Sequence, residues 1–137
     1  MEQKNRLPLL LFETGDKKFL IEINNVEEII PYQEITRLPN SVPIIKGIIN
    51  FRGEIIGVYD LGKILPLSQK SSGNNRIIVV KINNEKFGIL ADYIYKVIYV
   101  PKENISFKES EFKRGTANIN GEKIDIININ KIISLGG

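Results

Sequence analysis

Glu27-Glu28, Arg52, Asp60 and the tyrosines at 93, 95 and 99 are the residues of this 137-residue chain whose side chains could serve a chemical site. The chain has no His and no Cys. The commonest general base and the thiolate nucleophile are therefore missing, as are imidazole and thiolate metal ligands and any disulfide. Glu27 and Glu28 are adjacent, so on a strand they face opposite sides and make no catalytic carboxylate pair. Asp60 ends an apolar strand and reads as a turn cap rather than a catalytic acid. No phosphate loop and no dinucleotide fingerprint occurs. Tyr93, Tyr95 and Tyr99 share one strand region. They could stack bases, but core and interface packing is the favoured reading. No catalytic site, metal site or cofactor is expected.

The elements that carry these residues occur twice, at a fixed offset of 68 residues. Lys18-Phe19 falls on Lys86-Phe87, Gly47 on Gly115, Asn50 on Asn118, Gly53-Glu54 on Gly121-Glu122, and Lys63-Ile64 on Lys131-Ile132. No gap is needed from about Leu9 to Leu67. A repeat of this kind means two copies of one structural unit. A unit of roughly 60 residues is marginal alone, because it buries too little surface. Ile occurs 26 times, which favours strands over helices.

Each copy reads as five short strands, near 8–14, 18–24, 26–31, 47–51 and 54–60, then 76–82, 85–91, 94–100, 115–119 and 122–128. Polar turns such as Thr14-Gly15-Asp16, Asn83-Asn84 and Asn120-Gly121 separate them. Short helical turns are expected at Leu61–Leu65 and Ile129–Leu135. The pattern predicts a mainly β chain in which each copy forms a small closed or nearly closed barrel. The expected organisation is one domain over 1–137, with subdomains at about 8–67 and 76–135 and a polar linker at about 68–75. The N-terminal residues are too polar for a signal peptide, and no apolar run is long enough to span a membrane. A cytoplasmic protein without direct membrane insertion is expected.

Net charge is +3, with 8 basic and 9 acidic residues in 1–68 and 11 and 7 in 69–137. The cations are interspersed with acids, as in 108–114, so a solvated mixed surface is favoured over a nucleic-acid face.

The two copies differ informatively at one hairpin tip. The second has Asn120-Gly121, which suits positive φ; the first has Arg52-Gly53. Arg is a poor residue for positive φ, so either the turn differs, as in a three-residue loop, or strain is tolerated. Nothing in the turn calls for Arg, so Arg52 is read as present for its exposed five-donor fork.

The stretch Gly47-Ile48-Ile49-Asn50-Phe51-Arg52-Gly53-Glu54-Ile55-Ile56-Gly57-Val58-Tyr59-Asp60-Leu61 resembles the signature of CheW-like coupling proteins. Val26-Glu27-Glu28-Ile29-Ile30, Ile35-Thr36-Arg37-Leu38-Pro39-Asn40 and Phe87-Gly88-Ile89-Leu90-Ala91-Asp92-Tyr93-Ile94 resemble three further family elements. Gly57 departs from the family's usual Pro, a change that could alter or loosen that strand's pairing.

The resemblance covers about residues 8–135 and implies two five-stranded, SH3-like barrels packed on a shared core, acting as a non-enzymatic adaptor between chemoreceptors and a CheA-type histidine kinase. The implied partners are the kinase regulatory domain and the cytoplasmic tip of methyl-accepting chemoreceptors. The receptor tip would dock between the barrels, with recruitment to arrays at the inner face of the membrane. Val26, Glu28, Ile29 and Arg52 match family positions near partner surfaces. Asp92 matches a position that either caps a turn or touches a partner. Gly47, Gly53 and Gly121 are read as structural turn glycines. The alternatives are an adaptor of another receptor–kinase pathway, such as twitching motility or development, and more remotely a small-barrel nucleic-acid-binding protein.

Overall fold

The computed structural model describes residues 5–67 and 75–136. All but Asn75 of the expected linker at 68–75 lies outside the described residues. The first copy supplies strands β1 (Arg6–Thr14), β2 (Lys17–Glu22), β3 (Val26–Pro31), β4 (Ile45–Phe51) and β5 (Glu54–Tyr59). The second supplies β6 (Arg76–Ile82), β7 (Glu85–Ala91), β8 (Tyr93–Pro101), β9 (Ile105–Ser106), β10 (Lys113–Ile119), β11 (Glu122–Ile127) and helix α1 (Ile129–Ser134). The ten expected strands are present, and the short β9 is an eleventh. Both helical turns form where expected: a 3-10 turn at Leu61–Lys63 and α1. Their caps are repeat-equivalent. Asp60 Oδ1 accepts from the Gly62 amide at 3.0 Å, and Asn128 Oδ1 accepts from the Lys131 amide at 3.2 Å.

The sheets do not follow the boundaries of the copies. The six-stranded sheet has the order β8-β1-β2-β11-β10-β9, and the five-stranded sheet β3-β6-β7-β5-β4. Each copy's first hairpin is thus inserted between the third strand and the last hairpin of the other copy. Self-contained units at 8–67 and 76–135, with five strands each, are not how the sheets assemble. The exchange is made on one side by the antiparallel pairings of β1 with β8 and β3 with β6, and on the other by two short parallel pairings, Phe19–Asp125 with Leu20–Ile126, and Val58–Gly88 with Tyr59–Ile89.

Connection length accounts for it. To pair with β1, β3 would have to cross over β1 from β2, about two strand spacings or roughly 10 Å. Only Ile23–Asn25 joins β2 to β3, and as a 3-10 turn these three residues advance about 6 Å. Asp92 alone joins β7 to β8. The chain therefore passes to the other sheet.

The copies also differ in register. Thr36 bridges Ile48 in the first copy, whereas Ser106 bridges Thr116 in the second. Ile48 and Thr116 are 68 apart, but Thr36 and Ser106 are 70 apart. The gapless alignment therefore hides a two-residue shift inside the excursion, outside the strands whose hydrophobic pattern sets register.

The sheets bury three apolar clusters. Leu9 and Leu11 of β1 enter the six-stranded sheet's own cluster, and Ile77 and Val79 of β6 enter that of the five-stranded sheet. The intervening Leu10, Phe12, Ile78 and Val80 meet Phe19, Ile21, Tyr59, Ile89 and Ile132 in a cluster shared by both sheets. That two-sided burial is why β1 and β6 read as unbroken apolar runs instead of alternating.

Gly47 is structural but not in a turn. It lies within β4 at a bulge, where a Cβ would overlap the Thr36 carbonyl and the Ile35 side chain. Gly115 occupies the matching bulge of β10 against the Ser106 carbonyl. Gly57, by contrast, leaves β5 unbroken, and a Cβ there would meet only Tyr59 Cε1 at 3.7 Å. Chemical denaturation should therefore find Gly47→Ala destabilised by about 1–3 kcal/mol through overpacking. Gly57→Ala should stay within about 0.5 kcal/mol of the parent.

Asp125 sits beside one parallel pairing. Its Oδ2 lies 3.1 Å from Lys17 Nζ of the other copy. Its Oδ1 lies 3.6 Å from Lys113 Nζ and accepts from Thr116 Oγ1 at 3.2 Å. Burial pushes this carboxyl up, but the Lys17 hydrogen bond and the charges of Lys17 and Lys113, with Thr116, hold it below the usual value. A depressed folded-state value stabilises the fold above the unfolded carboxylate value near 4, and that stability is lost as pH falls through the folded value. Asp125→Asn should lower stability by about 1 kcal/mol at neutral pH, discounted for the half-exposed Lys17. The difference from the parent should shrink as denaturation midpoints are followed below about pH 4.

Candidate functional site

The site is built at the β4–β5 tip. Phe51 pairs directly with Glu54, so the loop is the two residues Arg52-Gly53. Their φ values are 51° and 87°, against 52° and 87° for Asn120-Gly121. The two turns are the same, no three-residue loop forms, and Arg52 adopts the left-handed conformation. Gly53 and Gly121 are the turn glycines expected. Asn50 Oδ1 accepts from the Gly53 amide at 2.9 Å, and Asn118 Oδ1 from the Gly121 amide at 3.0 Å. Asn-x-x-Gly at the same place in both copies was the available signal for this brace, and composition reasoning missed its role.

The strained turn presents Arg52 with two-thirds of its side chain exposed. Its Nη2 lies 2.7 Å from Glu28 Oε1, and its guanidinium 5.0 Å from the Phe51 ring. Glu28 is on β3 and Phe51 on β4, the two edges of the five-stranded sheet. Gln33 Nε2 adds a bond to the Asn50 carbonyl at 3.1 Å. The sheet curls far enough for its edges to meet under these polar contacts.

Beside them, Lys86 Nζ lies 3.2 Å from Glu54 and 3.5 Å from Glu27. The Glu54 hydrogen bond is the main cause of its raised pKa. Glu27 and Glu28 thus serve one rim, contrary to the opposite-face expectation. The bulge between Val26 and Glu28 breaks the alternation.

Ile55, next to this turn, is 63% exposed. Its repeat equivalent is Lys123, and that swap was the sequence signal for an apolar contact point that the signature alone did not reveal. Ile29 is also exposed, on the opposite face of β3 from the inward-packed Ile30. Val26 is half-buried and packs against the shared core.

Asp92 is elsewhere. Its Oδ2 accepts from the Gly15 amide at 2.7 Å, capping the β1–β2 turn. Burial raises its pKa, the Gly15 bond opposes this, the charges of Asp60 and Glu13 push it further up, and Lys46 pulls it down. Lys46 is the second residue of β4, at the end away from Arg52. The tyrosines are not core residues: Tyr93, Tyr95 and Tyr99 stand on the exposed face of edge strand β8. Tyr95 donates to Glu13 Oε1 at 2.6 Å, which helps push its pKa up to about 12. Among the described residues, no group of three or more His, Cys, Asp or Glu is placed to hold a metal ion.

A left-handed non-Gly residue is strained by about 1–2 kcal/mol, and an exposed ion pair returns about 0–1 kcal/mol. Arg52→Asn, which copies the other turn, should therefore raise stability by about 0.5–1 kcal/mol while removing the guanidinium. Thermal unfolding checks the first half of this expectation; partner binding checks the second.

Comparison with known proteins agrees with this architecture. Residues 8–136 match the CheW-like domain. The chain is 31% identical over 130 residues to chemotaxis protein CheW of Thermotoga maritima, covering 91% of this chain and 86% of that protein. It is 27% identical to chemotaxis protein CheW of Klebsiella aerogenes, covering 91% and 80%. The crystal structure of scaffolding protein TtCheW from Thermoanaerobacter tengcongensis superposes with a TM-score of 0.84 at 29% identity, covering 90% of this chain and 85% of that one. With its signature stretch forming the rim around Arg52, the chain belongs to the CheW-like family of non-catalytic chemotaxis scaffolding proteins.

Proposed function

We propose that this chain is the coupling adaptor that joins methyl-accepting chemoreceptors to a CheA-type histidine kinase, through the kinase's regulatory domain and the receptor's cytoplasmic tip. The observation that carries the proposal is Arg52. It is held in a strained turn that Asn fills with less strain in the other copy, and it pairs with Glu28, with the exposed Ile55 close behind the turn on β5. An apolar anchor framed by a charged pair is the chemistry of a protein contact rather than of a reaction. The adaptor would fix the kinase in a geometry that the receptor tip, docked between the sheets, can bias. Individual contacts are modest in this reading, and array avidity supplies persistence. The working location is the cytoplasmic side of receptor arrays; no helix among the described residues is long and apolar enough to cross a membrane. Nucleic-acid binding is disfavoured because Lys86, Lys113, Arg114 and Lys131 are already engaged by carboxylates.

Calorimetry with the regulatory domain of a CheA-type kinase from the same cell tests the reading. Saturable one-site binding, micromolar or tighter, is expected. Arg52→Glu should weaken coupling to receptor or kinase about tenfold or more while unfolding stays cooperative, since this side chain buries little. Absence of binding to any such kinase would overturn the function. Loss of cooperative folding in Arg52→Glu would make Arg52 structural instead.

A further inference from the structure

The two copies handle the cations around their excursions differently. In the second copy, Arg114 lies 3.2 Å from Glu22, and Lys131 lies 3.4 Å from Glu109. The repeat equivalents of these cations are Lys46 and Lys63. The equivalent of the neutralising Glu22 is Leu90, and that of Glu109 is Ser41 at the fixed offset or Pro39 in the shifted register, none of them acidic. Lys46 and Lys63 consequently form no ion pair among the described residues, although Asp92 lies within the field of Lys46. Arg37 is a third cation there, standing where the shifted register of the second copy places Phe107.

These three cations line one groove of about 850 Å³ with Leu38, Val42 and the intervening loop, and no acidic residue lines it. Leu38 and Val42 are each 41% exposed. The loop is braced: Ser41 Oγ donates to the Leu38 carbonyl at 3.1 Å, and the Ile45 amide to the Val42 carbonyl at 3.1 Å. Pro39 and Pro43 restrict it further. The flanking Ile44 is buried in the shared core, and Thr36 exchanges two backbone bonds with Ile48. A braced, cation-lined groove with exposed aliphatic walls needs little ordering to bind an anionic, partly apolar chain.

We infer that this groove docks an acidic segment of a protein partner, its carboxylates meeting Arg37, Lys46 and Lys63 and an aliphatic side chain seated between Leu38 and Val42. The site lies at the end of β4 away from Arg52, so it is a surface additional to the rim.

The test is an NMR amide-shift titration of the full chain with a short Glu-rich peptide carrying one Leu, beside its Lys-for-Glu counterpart. Saturable shifts confined to 37–46 and Lys63, seen with the acidic peptide only and weakened by added salt, are expected. Arg37→Gln combined with Lys63→Gln should weaken binding about tenfold, since each exposed pair contributes modestly. Lys63→Arg should preserve it, and Arg52→Ala should leave it unchanged, which separates this groove from the coupling rim. Both Gln positions are exposed, and a thermal melt verifies that the variant is folded. No saturable shift, shifts elsewhere, or equal binding by the double Gln variant would overturn the inference. So would shifts at these amides with phosphatidylglycerol vesicles but not the peptide, which would assign the groove to lipid headgroups.

Discussion

Four pairings between the copies hold this fold together, antiparallel β1 with β8 and β3 with β6 and parallel β2 with β11 and β5 with β7, because through them each copy of the repeat completes the other's sheet. Neither half retains a whole sheet if they part. The shared cluster draws Phe12 and Phe19 from one copy and Ile78, Ile89 and Ile132 from the other, so the same separation would expose apolar surface on both sides. Asp125 with Lys17 reinforces one of these seams by joining the two copies directly.

How much of this was legible in the residues depended on the range of the interaction. Hairpins, caps and turns are local, and Asn120-Gly121, Asp60 and Asn128 declared themselves by type. Sheet partners were not legible, because a repeat makes β6 as good a partner for β3 as β1 is. Only the three-residue connection after β2 breaks that degeneracy. Bulges were equally hidden: one extra residue between Val26 and Glu28 brings both glutamates to one rim, and one at Gly47 turns an expected turn glycine into a point of close backbone approach. The tyrosines of β8 misled because their types suit a core as well as an exposed edge. The candidate site was half visible. Comparing Arg52 with Asn120 singled out the arginine, whereas Ile55 emerged only when its exposure was seen.

The proposed contacts of this molecule fall where the copies stopped matching. The turn backbone at 52–53 and 120–121 is the same to within a degree, yet one carries a guanidinium and the other a turn-forming amide. The cations around the excursions are inherited by both copies, but carboxylates answer them only in the second. Duplication thus supplies a scaffold in which one copy can keep the low-strain solution while the other presents charge outward. The family's scaffolding role suits such a molecule, since presentation demands rigid surfaces and no reacting group.

Interleaving the copies also bears on how the chain emerges from the ribosome. The five-stranded sheet cannot close until β6 and β7 exist, and the six-stranded sheet waits for β11. At about 5–20 residues per second, the second copy takes about 3–14 s to appear after the first. Throughout that interval the β1–β2 hairpin exposes Leu9 to Phe12 with neither face covered. The nascent first half is therefore not a finished unit: the five-stranded sheet can close once β7 is made, and the six-stranded sheet only after β11.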